Sequence, residues 1–164
     1  MSEADVKQAI QKVVKTIDEY DEFLTNSHEY QTRYALIDPV LRSLGWDLSS
    51  VEEVEVEYET EWGRVDYALL KSSDGPPSVI VEAKSLWKPL DSATVQRQIL
   101  SYAEGTKQGY AILTNGDVWM IYDLKKRGRF QNKLIVEIEL TEEPVASSAK
   151  TLNQLLRRNL HWKK

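Results

Sequence analysis

Two short apolar runs on either side of a helical pattern constrain the fold of this chain most. SVIVEAK, residues 78–84, follows the breaker cluster Asp74-Gly75-Pro76-Pro77 and carries the β-branched run Val79, Ile80 and Val81, as a buried strand does. A helical pattern occupies residues 92–107, and GYAILT, residues 109–114, is the second apolar run. Strands joined by a helix of that length lie parallel, through a right-handed crossover. Open sheets of this kind bind ligands beyond the C-terminal ends of such strands. The first run ends there in two charges, Glu82 and Lys84. Because side chains alternate along a strand, these two share one side, and Val81 and Ala83 point to the other.

The rest of the pattern sets this pair in a layered domain. Residues 5–24 place Val6, Ile10, Val13, Val14, Ile17 and Leu24 at helical spacing. A second helix begins near Ser27, has Glu29, Tyr30 and Gln31 in its first turn, and stops at Gly45; Pro39 inside it predicts a kink or a break. From residue 51 the period becomes two. Val54, Val56 and Tyr58 alternate with Glu53, Glu55, Glu57 and Glu59, a half-buried strand whose acidic outer side discourages pairing with another sheet edge. RVDYALL is the next strand, Asn115-Gly116 predicts a hairpin between GYAILT and DVWMIYDL, KLIVEIEL is a further strand, and residues 146–162 form a closing helix. This order specifies an α/β or α+β fold: a mixed sheet with helices on its faces, in one domain over residues 1–164.

Composition excludes several classes. No apolar run approaches the ~20 residues of a membrane span, and the N-terminus lacks the basic flank and apolar stretch of a signal peptide, so a cytoplasmic location and no membrane partner are expected. Cysteine is absent, which excludes disulfides and thiolate metal sites, and His28 and His161 are too few for a histidine-rich zinc centre. The net charge of -5 is unevenly spread. Residues 52–61, EEVEVEYETE, hold six glutamates and no base, whereas residues 125–164 hold ten Lys and Arg against four acids. A basic C-terminal part of this kind suits nucleic-acid phosphates, and equally a solvated helix face and turn.

Asp66, in RVDYALL, lies one strand before Glu82. If the two strands are neighbours, the carboxylates converge, and like charges so placed repel unless a cation lies between them. Magnesium suits the position, because it binds one or two carboxylates together with waters and phosphate oxygens. Lys84, on the same side, is placed to orient or deprotonate an attacking water and to balance charge on a phosphodiester.

Fifteen residues separate Asp66 from Glu82-Ala83-Lys84, a spacing that resembles the PD-(D/E)XK nuclease superfamily. The stretches EYQTRYALIDPVLRSLGWD, GRVDYALL, VIVEAK, QRQILSYA and YAILTNGDVWMIYD, across residues 28–123, together resemble the N-terminal nuclease domain of type I restriction enzyme R subunits. The resemblance implies a restriction-endonuclease-like mixed β-sheet core flanked by helices, and a Mg2+-dependent (or Mn2+-dependent) endonuclease acting on DNA in a restriction or defence system. It implies Asp66 and Glu82 as metal ligands with the backbone carbonyl of Ala83, Glu29 as a further acidic residue of the metal site, and Lys84 as the catalytic lysine. Gln98 and Tyr102 match the QxxxY element on the helix after the ExK strand. No Pro precedes Asp66, a departure common in the superfamily.

Each position has another reading. Glu82 and Lys84 also fit an ion pair on a strand fraying into solvent, and Asp66 an ordinary strand-end carboxylate. Gln98 and Tyr102 also fit packing, and Glu29 a first-turn acid complementing the helix dipole. Trp46, Trp62 and Trp119 are expected in the core or at its rim, whereas Trp87 suits stacking on a base and Lys88 contact with phosphate. Two functions follow: the endonuclease, or a catalytically inert nuclease-fold module for nucleic-acid binding or assembly in a larger restriction complex. The sequence has no P-loop, so an ATP-driven motor would be another restriction subunit; the oligomeric state, a homodimer included, stays open.

Overall fold

The computed structural model describes residues 1–61, 63–72, 75–92, 94–97, 99 and 109–161. The chain opens with helix α1, Glu3–Thr25, whose N-terminus is closed by a capping box: the Asp5 N–H donates to the Ser2 side chain and Asp5 accepts from the Ser2 N–H. Val6, Ile10, Val13, Ile17 and Leu24 are buried, the stripe expected from their spacing. None of the described helices is long and apolar enough to cross a membrane.

The second helical stretch is broken, and Pro39 explains where. Helix α2, Glu29–Thr32, runs into a π-helical turn, Arg33–Ile37, and then into α3, Asp38–Ser43. Proline lacks an N–H and its ring crowds the carbonyl four residues back. The widened turn relieves this, with the Asp38 N–H bonding the Arg33 carbonyl five residues earlier.

Among the described residues six strands follow in chain order across one sheet: β1 Val54–Thr60, β2 Gly63–Leu70, β3 Pro77–Ala83, β4 Tyr110–Thr114, β5 Val118–Asp123 and β6 Leu134–Glu139. Neighbours are antiparallel except β3 and β4, which are parallel, as the intervening helical pattern requires. Residues 94–97 and 99 of that connection are helical, and Val95 and Ile99 are buried. Gln98, Tyr102 and Trp62 lie outside the described residues. The predicted hairpin forms between β4 and β5, with the Asn115 side chain accepting the N–H groups of Asp117 and Val118. Helix α4, Val145–Leu156, ends at Arg157, whose ψ of 132° stops it, and a short α5, Arg158–His161, completes the described chain.

Both faces of the sheet are covered. Val79, Val81, Ala83, Ile112, Trp119 and Ile121 join α1, α3 and α4 in one apolar cluster, while Ile80, Ala111, Leu113, Met120 and Tyr122 join Leu90, Val95, Ile99 and Phe130 in another. The alternation is that of strands buried on both sides. Trp46 and Trp119 are core residues, their indole N–H groups donating to Leu156 O and Gly116 O. On β1 the expected alternation fails. Val54 packs in the first cluster, Val56 is 50% exposed, and Tyr58 packs against the second. The cause is Glu57, whose φ of 54° turns the strand over. Opposite it β2 does the same, Val65 belonging to the second cluster and Tyr67 to the first.

The parallel pair is set at its start by Gly109, where φ is 88° and a Cβ would lie 1.9 Å from the backbone oxygen of Ser78. Gly109→Ala should therefore force β4 from β3 and destabilise the protein by about 2–4 kcal/mol, read from urea unfolding. Unfolding at the wild-type midpoint would show that the close approach is not required.

Candidate active site at the end of the third strand

The backbone ladder between β2 and β3 has its last pair at Tyr67 and Val81. Beyond it a side chain replaces a carbonyl. Asp66 Oδ2 accepts the Ala83 N–H at 2.7 Å, and the Lys84 N–H turns to the other neighbour, donating to Thr114 O at 2.8 Å. The two expected carboxylates thus meet where β3 leaves its antiparallel partner. The following loop is held on both sides, by the Leu86 N–H donating to Thr32 Oγ1 and by the Asn115 amide donating to Lys88 O.

Glu82 is 3% exposed and Lys84 7%, so the strand does not fray into solvent here. The Lys84 ammonium donates to Glu82 Oε1 at 2.5 Å. Glu82 Oε2 is buried and has no hydrogen-bond partner among the described residues. Burial pushes the Glu82 carboxyl up to about 7 against the pull of Lys84, with Asp66 and Glu29 raising it further. Asp66 is raised too, burial outweighing the Ala83 hydrogen bond and the charges of Arg33 and Lys84.

Residues that sequence reasoning did not single out complete the network. Arg33, the first residue of the π turn, donates from Nη1 to Asp66 Oδ1 at 2.9 Å and to Glu57 Oε1 at 2.6 Å. Its Nε donates to the Tyr67 hydroxyl at 3.1 Å, and that hydroxyl donates to Asp38 Oδ1 at 2.6 Å. The guanidinium also lies 4.6 Å from the Tyr67 ring centroid and 5.3 Å from that of Tyr30. Burial opposes its charge, but the Tyr67 and Glu57 hydrogen bonds and the nearby Asp66 outweigh this and raise its pKa. An arginine beside Leu36 and Ile37 on an otherwise apolar stretch was the one available signal. Glu57 gave none, because its left-handed backbone is invisible in an alternating strand pattern.

Glu29 is partly exposed and joins the site through space, within electrostatic reach of Lys84, Asp66, Lys88 and Arg33; burial raises its carboxyl. Among the described residues no group of three or more Asp, Glu or His is close enough to hold a metal ion. The direct carboxylate donors brought together are Asp66 and Glu82, beside the Ala83 backbone. Trp87 is 44% exposed, but its indole N–H donates to Asp21 of α1, so it lies against that helix.

The basic C-terminal part is divided among separate tasks. Arg158 clasps Glu53 through two hydrogen bonds of 2.6 and 2.7 Å, and Lys133 donates to the carbonyls of Leu124 and Lys126. Lys125, Lys126 and Arg127 are exposed on the turn after β5. Tyr110 pairs with Asp123 and Thr114 with Trp119, so that turn lies at the opposite end of the sheet from Glu82. The length of β4 separates the two ends, roughly 13 Å at strand rise.

Residues 28–139, more than half of the chain, match the family model of the type I restriction enzyme R protein N terminus. The chain belongs to that family. Solved structures similar to this R-protein N-terminal chain include one described as a DrdV–DNA complex, at 17% identity and a TM-score of 0.58, covering 92% of this chain and 96% of the other. Another is a fragment of a putative HsdR subunit of a type I restriction enzyme from Vibrio vulnificus YJ016, at 21% identity and a TM-score of 0.51. That match covers 81% of this chain and 25% of the HsdR fragment. At these identities the matches establish the α/β nuclease-like fold. No curated protein matches the chain by sequence.

The raised Glu82 carboxyl carries a stability signature. Between about 4.5 and about 7 the folded protein holds a proton that the unfolded chain releases, so stability falls as pH rises through that window. Glu82→Gln removes this dependence. In EDTA, its melting temperature relative to wild type should rise by at least about 3 °C between pH 5 and pH 8, on top of any constant offset from the loss of Lys84's acceptor. A difference that stays flat with pH would show that Glu82 ionises normally.

Proposed function

We propose that this R-protein N-terminal chain is a metal-dependent endonuclease of the PD-(D/E)XK type, hydrolysing DNA phosphodiester bonds in a restriction system. The observation that carries this reading is Glu82 Oε2, a buried carboxylate oxygen with no hydrogen bond among the described residues, beside the second carboxylate of Asp66. Such an oxygen costs free energy unless something occupies it. Magnesium or manganese fits this donor set, with Asp66, Glu82 and the Ala83 carbonyl to hold it and Glu29 to add negative field. When bound, the ion neutralises charge that develops on the phosphodiester.

The chain's own residues supply the rest. Lys84, oriented by Glu82 Oε1, sets a positive charge beside the carboxylates and stands where it can orient an attacking water or exchange a proton with it. Gln98 and Tyr102 are proposed as positioning residues from the resemblance alone. DNA is the proposed substrate, as the DrdV structure described as a DNA complex suggests. Other restriction subunits, an ATP-driven motor among them, are the proposed partners.

One observation favours a second reading. Both Asp66 oxygens are hydrogen-bonded within the chain, to Arg33 and to Ala83, so this carboxylate is satisfied with no ion present. On that reading the chain is an inert nuclease-fold module for binding or assembly.

A cleavage assay on plasmid DNA with magnesium or manganese separates the two. Asp66→Ala, Glu82→Ala and Lys84→Ala should each lower cleavage by at least about 100-fold with unchanged circular dichroism. Wild-type protein that never cuts, alone or with its restriction partners, would leave the module reading in place.

The placement of charge gives a second expectation. A phosphate that reaches Lys84 passes the exposed Lys88 and not the Lys125–Arg127 turn. Lys88→Glu should weaken DNA binding for all sequences and lower the salt slope by about one, whereas Lys125→Glu should do less. The reverse ranking would place DNA at the other end of the sheet.

A further inference from the structure

Arg33 faces two carboxylates with one nitrogen. Its Nη1 donates to Glu57 Oε1 at 2.6 Å and to Asp66 Oδ1 at 2.9 Å, and the Arg33 side chain is only 10% exposed. The guanidinium has a single seat, fixed by the Tyr67 ring, by Nε on the Tyr67 hydroxyl, and by Asp38 behind that hydroxyl. The three groups come from separate elements: Arg33 from the π turn, Glu57 from β1 and Asp66 from β2.

Glu57 is held at a cost. Only Glu57 and Trp87 among the described non-glycine residues have positive φ, and Glu57 has it in mid-strand, between the pairs Val56–Tyr67 and Tyr58–Val65. A side chain in that conformation is strained, and glycine would adopt it freely. In that conformation one Glu57 oxygen meets Arg33, and the other lies 3.9 Å from the exposed Arg64.

We propose that Arg33 and Glu57 form a counter-ion relay that holds Asp66 in the metal-free protein and releases it to a divalent cation. The relay rests on the nuclease reading above. An arginine paired with Asp66 alone would be stranded as a buried, unpaired charge when a cation took that carboxylate, and stranding a buried charge is costly. Glu57 prevents this: the guanidinium stays in its seat, keeps the Glu57 bond and lets Asp66 Oδ1 go. Arg33 and Glu57 are therefore positioning residues that act through Asp66.

The relay makes the two substitutions act on metal binding with opposite sign, which a simple folding defect does not do. Glu57→Gln leaves Arg33 committed to Asp66 and should raise the manganese concentration at half-saturation by about tenfold, the equivalent of one charge-assisted hydrogen bond. Arg33→Gln removes the competing cation, so manganese should bind more tightly than to wild type. DNA cleavage by Arg33→Gln at saturating manganese should still fall about 100-fold, because Asp66 loses its orientation. Glu57→Gly guards against misfolding: it relieves the strained φ, so its melting temperature in EDTA should match or exceed that of Glu57→Gln while manganese affinity falls just as far.

Calorimetric titration of manganese chloride into the full chain reads all of these, with plasmid cleavage in parallel. Wild-type manganese affinity in both Glu57 variants, or a shift in the same direction for Arg33→Gln and Glu57→Gln, would overturn the relay and leave the nuclease reading standing. Wild type that neither binds manganese nor cuts DNA would overturn both.

Discussion

The carboxylate of Asp66 accepts a hydrogen bond from the backbone of β3 on one oxygen and from the guanidinium of Arg33 on the other. The first bond lies just past the last pair of the β2–β3 ladder, a side-chain oxygen accepting where a carbonyl would continue it. The second ties this opening to the helical layer, since Arg33 begins the turn that Pro39 forces into π geometry. Every other feature of the site is arranged around these two bonds. Tyr67 and Asp38 fix the arginine, Glu57 shares it, and Thr32, one residue before it, receives the Leu86 N–H and so anchors the loop that leaves the site.

A cluster of this kind is a poor way to gain stability. Glu82, Lys84, Asp66 and Arg33 are all withdrawn from water, and the desolvation of such charges competes with their mutual attraction. An apolar filling of the same volume would cost less. Strain at Glu57 and an oxygen on Glu82 with no partner among the described residues add to the cost. Burial, strain and raised carboxyls are concentrated here at the end of β3, and groups so perturbed cluster at functional sites. The apolar clusters on either face of the sheet supply the stability that permits it.

Much of the architecture was readable in the chain because local periodicity and packing agree. Val79, Val81 and Ile80 alternate between two cores, and the helical pattern after them requires a parallel neighbour, which β4 is. Asn115-Gly116 marked the hairpin, and Gly116 has a further role there, since a Cβ on it would lie 2.7 Å from Leu36. The broken second helix followed from Pro39. The reading failed at residue 57, because an alternating pattern carries no record of a residue held in left-handed conformation, and at Arg157, whose extended backbone divides the closing helix expected over 146–162. Lys125, Lys126 and Arg127 were legible as a basic turn, but their distance from the site depends on strand register.

The sequence by itself determined the elements, their order, the parallel pair and the placing of Asp66 on one strand with Glu82 and Lys84 at the end of the next, because each depends on periodicity, turn chemistry or spacing within a short window. Only the tertiary structure decided which charges face one another. Arg33 meets Asp66 across a separation of 33 residues and Glu57 across 24, contacts set by how a π turn packs on two strands that change face at the same level. Burial decided the rest, since the same glutamate and lysine on an exposed strand end would have been an ordinary ion pair screened by water.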